Sequence, residues 1–408
     1  MANIAATAIR GVTFHNPAKT SLGYTLLTPM GFSTWGTCES DVFLIDMEGY
    51  IVNRWRMPAD PTNHGILLPN GHLMWCGDLG YSVRDKWIVG LPPGWAGVGN
   101  TIEERDWDGN LVRRVMTPGQ SHDFLPLPDG HIMYPTYGLS QGILPDKLSA
   151  RWKGGIPGSE LDGKIHGDTI CEVDQNDKIV WEWIAYEHLD PEIDAFGPLD
   201  VRTHFHTNSL WLCKDGGIIV SMRSLSSVVK IEYPSGKVVA RHGKGKVFHQ
   251  HDARELDDGN ILIFDNGSHR NIEEPTYSRS VEIDPDTDEE IWEYKAEFPS
   301  DFYSPLMGGS ERLPNGNTVI CNSSDAASGR VFEVTHEGDL VWEYNSPFLV
   351  KKLDEKTPGN RNALFRAHRY NSGGSELKGK DLDPARFPWE NRFFGPAAFK
   401  RDFSPCIF

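Results

Sequence analysis

The chain has 408 residues, and its 57 Asp and Glu against 40 Lys and Arg give a formal net charge of −17. That balance argues against nucleic acid as a partner, because phosphate-binding domains need a basic face. It also requires any anion site to be built locally from His, Arg and backbone donors. No apolar run approaches the roughly 20 residues of a membrane-spanning helix, and 41 Gly with 27 Pro suit a turn-dense β protein.

Residues 1–22 lack periodicity, and their start has no basic region ahead of an apolar core, as a secretory signal would. Tyr24–Thr28 and Val42–Ile45 then read as strands. From there a two-part unit recurs. Its first part is a turn followed by β-branched residues and often an aromatic, as in Asp46–Trp55, Asp174–Trp183, Asp284–Tyr294 and Thr335–Tyr344. Taking the anchors as Asp46, Asp106, Asp174, Glu232, Asp284 and Thr335, the steps are 60, 68, 58, 52 and 51 residues. Its second part is an Asn-Gly or Asp-Gly turn that opens a strand, at Gly71, Gly130, Gly216, Gly259 and Gly316. Such pairs between apolar runs are strong hairpin signals. Two hairpins per step predict four-stranded blades, hence an all-β, six-bladed β-propeller with the active site in the central channel. The expected organisation is a single domain over 1–408, with the propeller at 23–371 and a C-terminal tail at 372–408 packed on its outside. Insertions near 79–100, 138–167 and 186–203 are expected to roof the channel mouth. The paired aromatics Trp181, Trp183, Trp292, Tyr294, Trp342 and Tyr344 are read as packing between blades.

The six cysteines (38, 76, 171, 213, 321 and 406) are scattered, with no CxxC or zinc-type spacing. Reduced thiols and a cytoplasmic location are expected.

Counting back from each turn glycine gives a polar ring. Eight residues before Gly130, Gly259 and Gly216 stand His122, His251 and Asn208, and seven before Gly71 stands His64. His368 offers a comparable sixth position, and Gly308 leaves one sector without a side chain. His204, His206 and Asn208 alternate, as do His249 and His251, so each set would share one face of a strand. Burying so many imidazoles at matching register is costly without a purpose. Arg223 can reach the same channel.

Three functions fit such a ring. A neutral imidazole can attack sulfur or phosphorus, with neighbouring donors stabilising the displaced oxygens and a second His acting as general acid. Alternatively His204, His206, His249, His251 and His122 can hold a divalent transition metal in a hydrolase or lyase acting on a small aromatic or anionic substrate. A non-catalytic protein-binding propeller is the third, and the polar channel counts against it.

At these residues the chain resembles the arylsulfotransferase family of PAPS-independent arylsulfate sulfotransferases, over roughly residues 20–371. The resemblance rests on Gly23-Tyr-Thr-Leu-Leu-Thr-Pro29, the two repeat halves, Ser121-His-Asp123, His206-Thr-Asn208-Ser, Arg223, Gln250-His-Asp252 and Phe365-Arg-Ala-His-Arg-Tyr370. It implies a nucleophilic His251, sulfate-binding and acid/base roles for His122 and His206, and substrate contacts from Asn208 and Arg223. His64 and His368 are further substrate-binding candidates. The implied reaction moves a sulfuryl group from an aryl sulfate to a phenolic acceptor by a ping-pong route without a cofactor. The expected partner is a small aromatic molecule, with no membrane and no nucleic acid; a homo-oligomer stays open.

Overall fold

The computed structural model describes residues 10–30, 41–59, 61–79, 98–137, 142–160, 163–202, 204–270, 275–323, 329–348, 350–351, 360–361 and 363–396. Nearly all regular structure is antiparallel sheet, arranged as a ring of small sheets resembling a β-propeller. Strands Ala363–Asn371, Gly23–Met30, Asp41–Ile45 and Ile51–Arg56 form the first four-stranded unit, in that order. Its pairing of a late strand with an early one, Gly23 opposite Asn371 through Met30 opposite Ala363, closes the ring. The fourth unit runs Thr207–Leu212 to Lys237–His242 and the fifth His251–Glu255 to Glu290–Tyr294. The sixth runs Gly309–Arg312 to Leu340–Asn345, with Gly11–His15 added as an outer fifth strand.

The second and third units are not separate sheets. Strand Leu111–Ser121 pairs with Val98–Arg105 along its length, and its end reaches the next unit, with Gln120 opposite Thr136. The result is one eight-stranded sheet spanning two repeats. Six repeats are therefore delivered as five principal sheets.

The Asn-Gly turn at Gly71 lies in a longer hairpin loop. Leu67 pairs with Leu73, Gly71 N–H donates to the Leu68 carbonyl, and Gly71 takes φ 79° while Asn70 does not go left-handed. Pro69 fixes a negative φ at the second turn position, which favours a type I turn followed by a glycine bulge over the mirror-image turn.

Burial grades outward. Ile261–Asp265, the second strand of its unit, is buried throughout, whereas outermost Glu290–Tyr294 is mostly exposed. A strand covered on both faces reads as a continuous apolar run. The core lies between neighbouring units: Ile219 and Val228 pack with Val247, Ala253, Ile263 and Val281, while Leu26, Val42 and Leu44 pack with Leu67, Leu73 and Trp75.

The paired aromatics do join units. The indole N–H of Trp55 donates to Asp106 O at 3.0 Å, Trp183 to Gly236 O at 2.9 Å, Trp292 to His336 O at 2.7 Å and Trp342 to Met47 O at 2.8 Å. Each outer strand thus grips the outer turn of the next unit. Arg113 to Asp174 O (2.6 Å) and Gly243 N–H to the Asp288 carboxylate (2.9 Å) complete the circuit.

The tail packs on the first unit through residue 396. Asn391 bonds both the N–H (2.8 Å) and the carbonyl (3.0 Å) of Ile51, and Glu390 meets Arg54 at 2.6 Å. This covers an edge strand that would otherwise offer free pairing groups. Residues 397–408 and most of the 79–100 insertion lie outside the described residues. Cys76, Cys171, Cys213 and Cys321 are free and buried, and Cys38 and Cys406 also lie outside them.

Candidate active site

Three imidazoles meet at the inner ends of the third, fourth and fifth units. The ring nitrogens offered by His122, His206 and His251 lie within 4.8 Å of one another. His122 and His206 are closest, Nε2 to Nε2 at 3.2 Å. Their ring centres lie 6.2 and 6.3 Å from that of His251. His122 and His251 are buried and His206 is the most open of the three, so access comes from its side.

The backbone that aims these rings is unusual. His122 and His206 take φ of 55° and 62°, and Asp252, directly after His251, takes 48°. Non-glycine residues held left-handed cost of order 1–3 kcal/mol each and persist where the surroundings over-determine them. Pairing registers also slip between Thr207 and Ser209 and between His251 and Ala253. Bulges of this kind re-aim side chains at sheet rims.

They also change the expected alternation. The strands begin only at Thr207 and His251, so neither His-x-His lies on a flat strand face. His204 still stacks on His206, with centroids 4.6 Å apart. His249, at φ 56°, leaves the cluster, and its Nε2 lies 3.0 Å from Asp200 Oδ2. Of the five histidines expected in a metal set, three converge, His204 stacks behind them and His249 faces a carboxylate.

Arg223 is held beside His206, its N–H donating to the His206 carbonyl at 3.0 Å. Its buried guanidinium lies 3.7 Å from Asp200, and its positive field reaches all three site imidazoles. Asp200 is delivered by the 186–203 insertion, which meets the 138–167 insertion at the Ile156–Val201 bridge, and the adjoining His204 bridges His166. Asn208 donates one amide hydrogen to the Gln250 carbonyl at 2.8 Å. Its second amide hydrogen and its buried, unbonded Oδ1 remain for a ligand.

His64 and His368 sit elsewhere, in a layer of buried charge. His64 Nε2 meets Asp123 at 2.8 Å, its Nδ1 meets His368 Nε2 at 3.3 Å, and His368 Nδ1 faces Glu311 at 3.4 Å. Arg366 is the hub. It reaches Asp123 at 3.0 Å, Asp252 at 3.3 Å and the Asn208 carbonyl at 2.7 Å. These residues follow His122, His251 and His206 by one, one and two positions, so one guanidinium ties together the three segments that carry the site.

Sequence reasoning missed Tyr137, Asn266 and the hub role of Arg366. Tyr137 OH and Ser121 Oγ lie 3.0 and 2.7 Å from His122 Nδ1, and Asn266 Oδ1 lies 2.7 Å from His251 Nδ1. A signal for two of them was present. Tyr137, Arg223 and Asn266 are each the seventh residue after their turn glycine, Gly130, Gly216 and Gly259. That places them across the hairpin from His122, Asn208 and His251, counted backward from the same glycines.

Burial first, then mutual repulsion and Arg223, hold the imidazoles neutral: His122 falls to about 3, and His206 and His251 lie well below their ordinary value. His204 falls to about 3 and His64 to about 4, again mainly through burial. A histidine depressed in the folded state is protonated preferentially when unfolded, so stability is lost as pH falls below about 6.5. Asp168 and Asp46, each raised by burial to about 6, and Asp265, also raised by burial, oppose this. The denaturant midpoint is expected to drop steadily from pH 7 to pH 4.5, with the loss reduced in a His204→Phe variant. A midpoint flat across that interval would contradict neutral burial of these rings.

The arylsulfotransferase (ASST) family matches residues 25–248 and, by a second description, residues 153–347. The first match covers more than half of the chain, and the two together contain His122, His206, Asn208, Arg223 and His251. The arylsulfate sulfotransferase of Escherichia coli O6:H1 (strain CFT073) is 28% identical over 232 residues, 38% of this chain and 39% of that protein. The chain thus spans about two fifths of that relative's length. Among solved structures, a Bacteroides caccae protein of unknown function has a TM-score of 0.49 at 14% identity, covering 86% of this chain and 99% of that one. The virginiamycin B lyase of Staphylococcus aureus has a TM-score of 0.40 at 8% identity, covering 80% and 89%. With one family match running from the first repeat to His249's neighbour and the other carrying on beyond His251, this chain belongs to the arylsulfotransferase family.

Proposed function

We propose that this protein is an enzyme that transfers a sulfuryl group from an aryl sulfate to a phenolic acceptor through a histidine intermediate. The observation that carries this reading is His251 Nε2, a buried ring nitrogen facing two other imidazoles with no hydrogen-bond partner in the described chain. In the first half-reaction the Nε2 lone pair forms an N–S bond while the S–O(aryl) bond breaks and its electron pair leaves on the phenol oxygen. Arg223 and the free Asn208 amide hydrogen meet the sulfuryl oxygens, whose charge the acidic chain does not otherwise welcome. An arriving anion offsets the field that keeps the His122–His206 pair neutral, so the pair takes up one proton with the donor. That proton goes to the leaving phenolate and is recovered from the acceptor phenol, whose oxygen attacks sulfur and breaks the N–S bond. The aromatic portion of a donor would find Phe365, whose ring lies 5.6 Å from that of His122 and 5.9 Å from that of His251.

A second reading has one observation in its favour: the same three ring nitrogens are close enough to share a divalent transition metal. It would make the protein a metal-dependent hydrolase or lyase. One experiment separates the two. The purified chain is assayed with 4-nitrophenyl sulfate, with and without phenol and chelator, and its metal content is measured. Phenol-dependent release of 4-nitrophenol that persists in chelator is expected. Stoichiometric metal with activity abolished by chelation would overturn the transfer reading.

A further inference from the structure

Asn266 stands fully buried just beyond strand Ile261–Asp265, and its neighbours dictate which way its amide points. Its Nδ2 lies 2.5 Å from the Ser304 carbonyl and 2.9 Å from the Met307 carbonyl. Carbonyl oxygens only accept, so both must face N–H groups. The amide is therefore locked with Nδ2 toward the 304–307 loop and Oδ1 toward His251, 2.7 Å from Nδ1. An amide oxygen also only accepts, so His251 Nδ1 must carry the ring proton. In a neutral imidazole the lone pair then resides on Nε2, the buried atom left without a partner.

We infer that Asn266 is a positioning residue that holds His251 in its Nδ1–H tautomer and so presents the Nε2 lone pair to the electrophile; its catalytic use rests on the sulfuryl-transfer reading above. The opposite tautomer would have to shed a proton from Nε2 before an N–S bond could form. In the held tautomer the new bond forms directly, Nδ1 keeps its proton, and the positive charge left on the ring is met by Oδ1. The 304–307 loop belongs to this device, because its two carbonyls stop the amide from flipping.

The test uses the full chain labelled with ¹⁵N-histidine at neutral pH, with the His251 ring signals identified by their loss in His251→Gln. In the wild type the proton is expected on Nδ1. Asn266→Ala should shift the population toward Nε2–H and lower kcat for 4-nitrophenyl sulfate on the order of 10²-fold with KM changed little. Asn266→Asp, which keeps an acceptor toward Nδ1, should hold the wild-type tautomer. A merely structural role would leave the tautomer alone, so an unchanged tautomer in Asn266→Ala, or Nε2–H in the wild type, overturns the inference. Should Asn266→Ala fail to fold, the wild-type and Asn266→Asp spectra decide it. If the tautomer behaves as stated while His251→Gln still transfers, the functional reading fails and the lock on the ring stands.

Discussion

His251→Ala is expected to lower phenol-dependent turnover of an aryl sulfate on the order of 10⁴-fold or more, because it removes the atom that would carry the sulfuryl group. The loss should be in chemistry rather than in folding. His251 donates one hydrogen bond, to Asn266, and its other nitrogen bonds to nothing among the described residues. Truncation therefore strands only the Asn266 oxygen and leaves a cavity, at a cost of about 2–5 kcal/mol by analogy with other large-to-small core changes. Circular dichroism and a cooperative, if lower, thermal transition should confirm a folded ring. His122→Ala and His206→Ala should fall less steeply, since each member of the pair can partly replace the other in moving a proton. Rapid quenching of the wild type with donor alone should reveal a burst of phenol equal to the enzyme concentration, absent in His251→Ala. A variant with normal turnover, or a wild type without the burst, would remove His251 from the role of nucleophile.

The convergence of His122, His206 and His251 was legible because it depends on local counting. His122 and His251 stand eight residues before their hairpin glycines, His206 stands two before the matching Asn208, and hairpins repeat with a fixed register. The recurrence of paired hairpins was legible for the same reason, while the merging of two units into one sheet was not. That merger depends on a single long strand, Leu111–Ser121, whose end pairs with the following unit. The role of His249 was misjudged because alternation assumes extended backbone, and a left-handed His249 breaks it. Asp200 comes from an insertion without periodicity, so nothing in the residues around it signalled its meeting with Arg223 and His249. His64 and His368 meet the Asp123 and Glu311 carboxylates and not the three-histidine cluster. The register that finds inner-strand histidines does not say how deep along the strand a partner carboxylate will catch them.

Arg366→Leu is expected to damage the protein more broadly than any other single change in this channel. Arg366 lies on the strand that closes the ring, 243 residues from Asp123, and sits between the carboxylates of Asp123 and Asp252. Burial alone would push both acids up, yet Arg366 with His64 holds Asp123, and Arg254 with Arg366 holds Asp252, below the usual carboxylate range. Removing the guanidinium leaves Asp123 without an arginine partner and Asp252 with Arg254 alone, and breaking a buried pair costs about 3–5 kcal/mol. It also frees the Asn208 carbonyl, so the segments carrying His122, His206 and His251 lose their common anchor. A large fall in the thermal midpoint, accompanied by a fall in kcat in the fraction that stays folded, is the expected result. The pH dependence distinguishes charge from shape. With the guanidinium gone, Asp123 is released from its depressed value and takes up a proton on mild acidification, so the deficit against wild type should be largest at pH 7 and shrink toward pH 5. Asp123→Asn in the Arg366→Leu background should restore part of the midpoint at pH 7 for the same reason. A deficit independent of pH and untouched by Asp123→Asn would mean that Arg366 acts through the space it fills, and that the three histidine segments are aligned by the sheets alone.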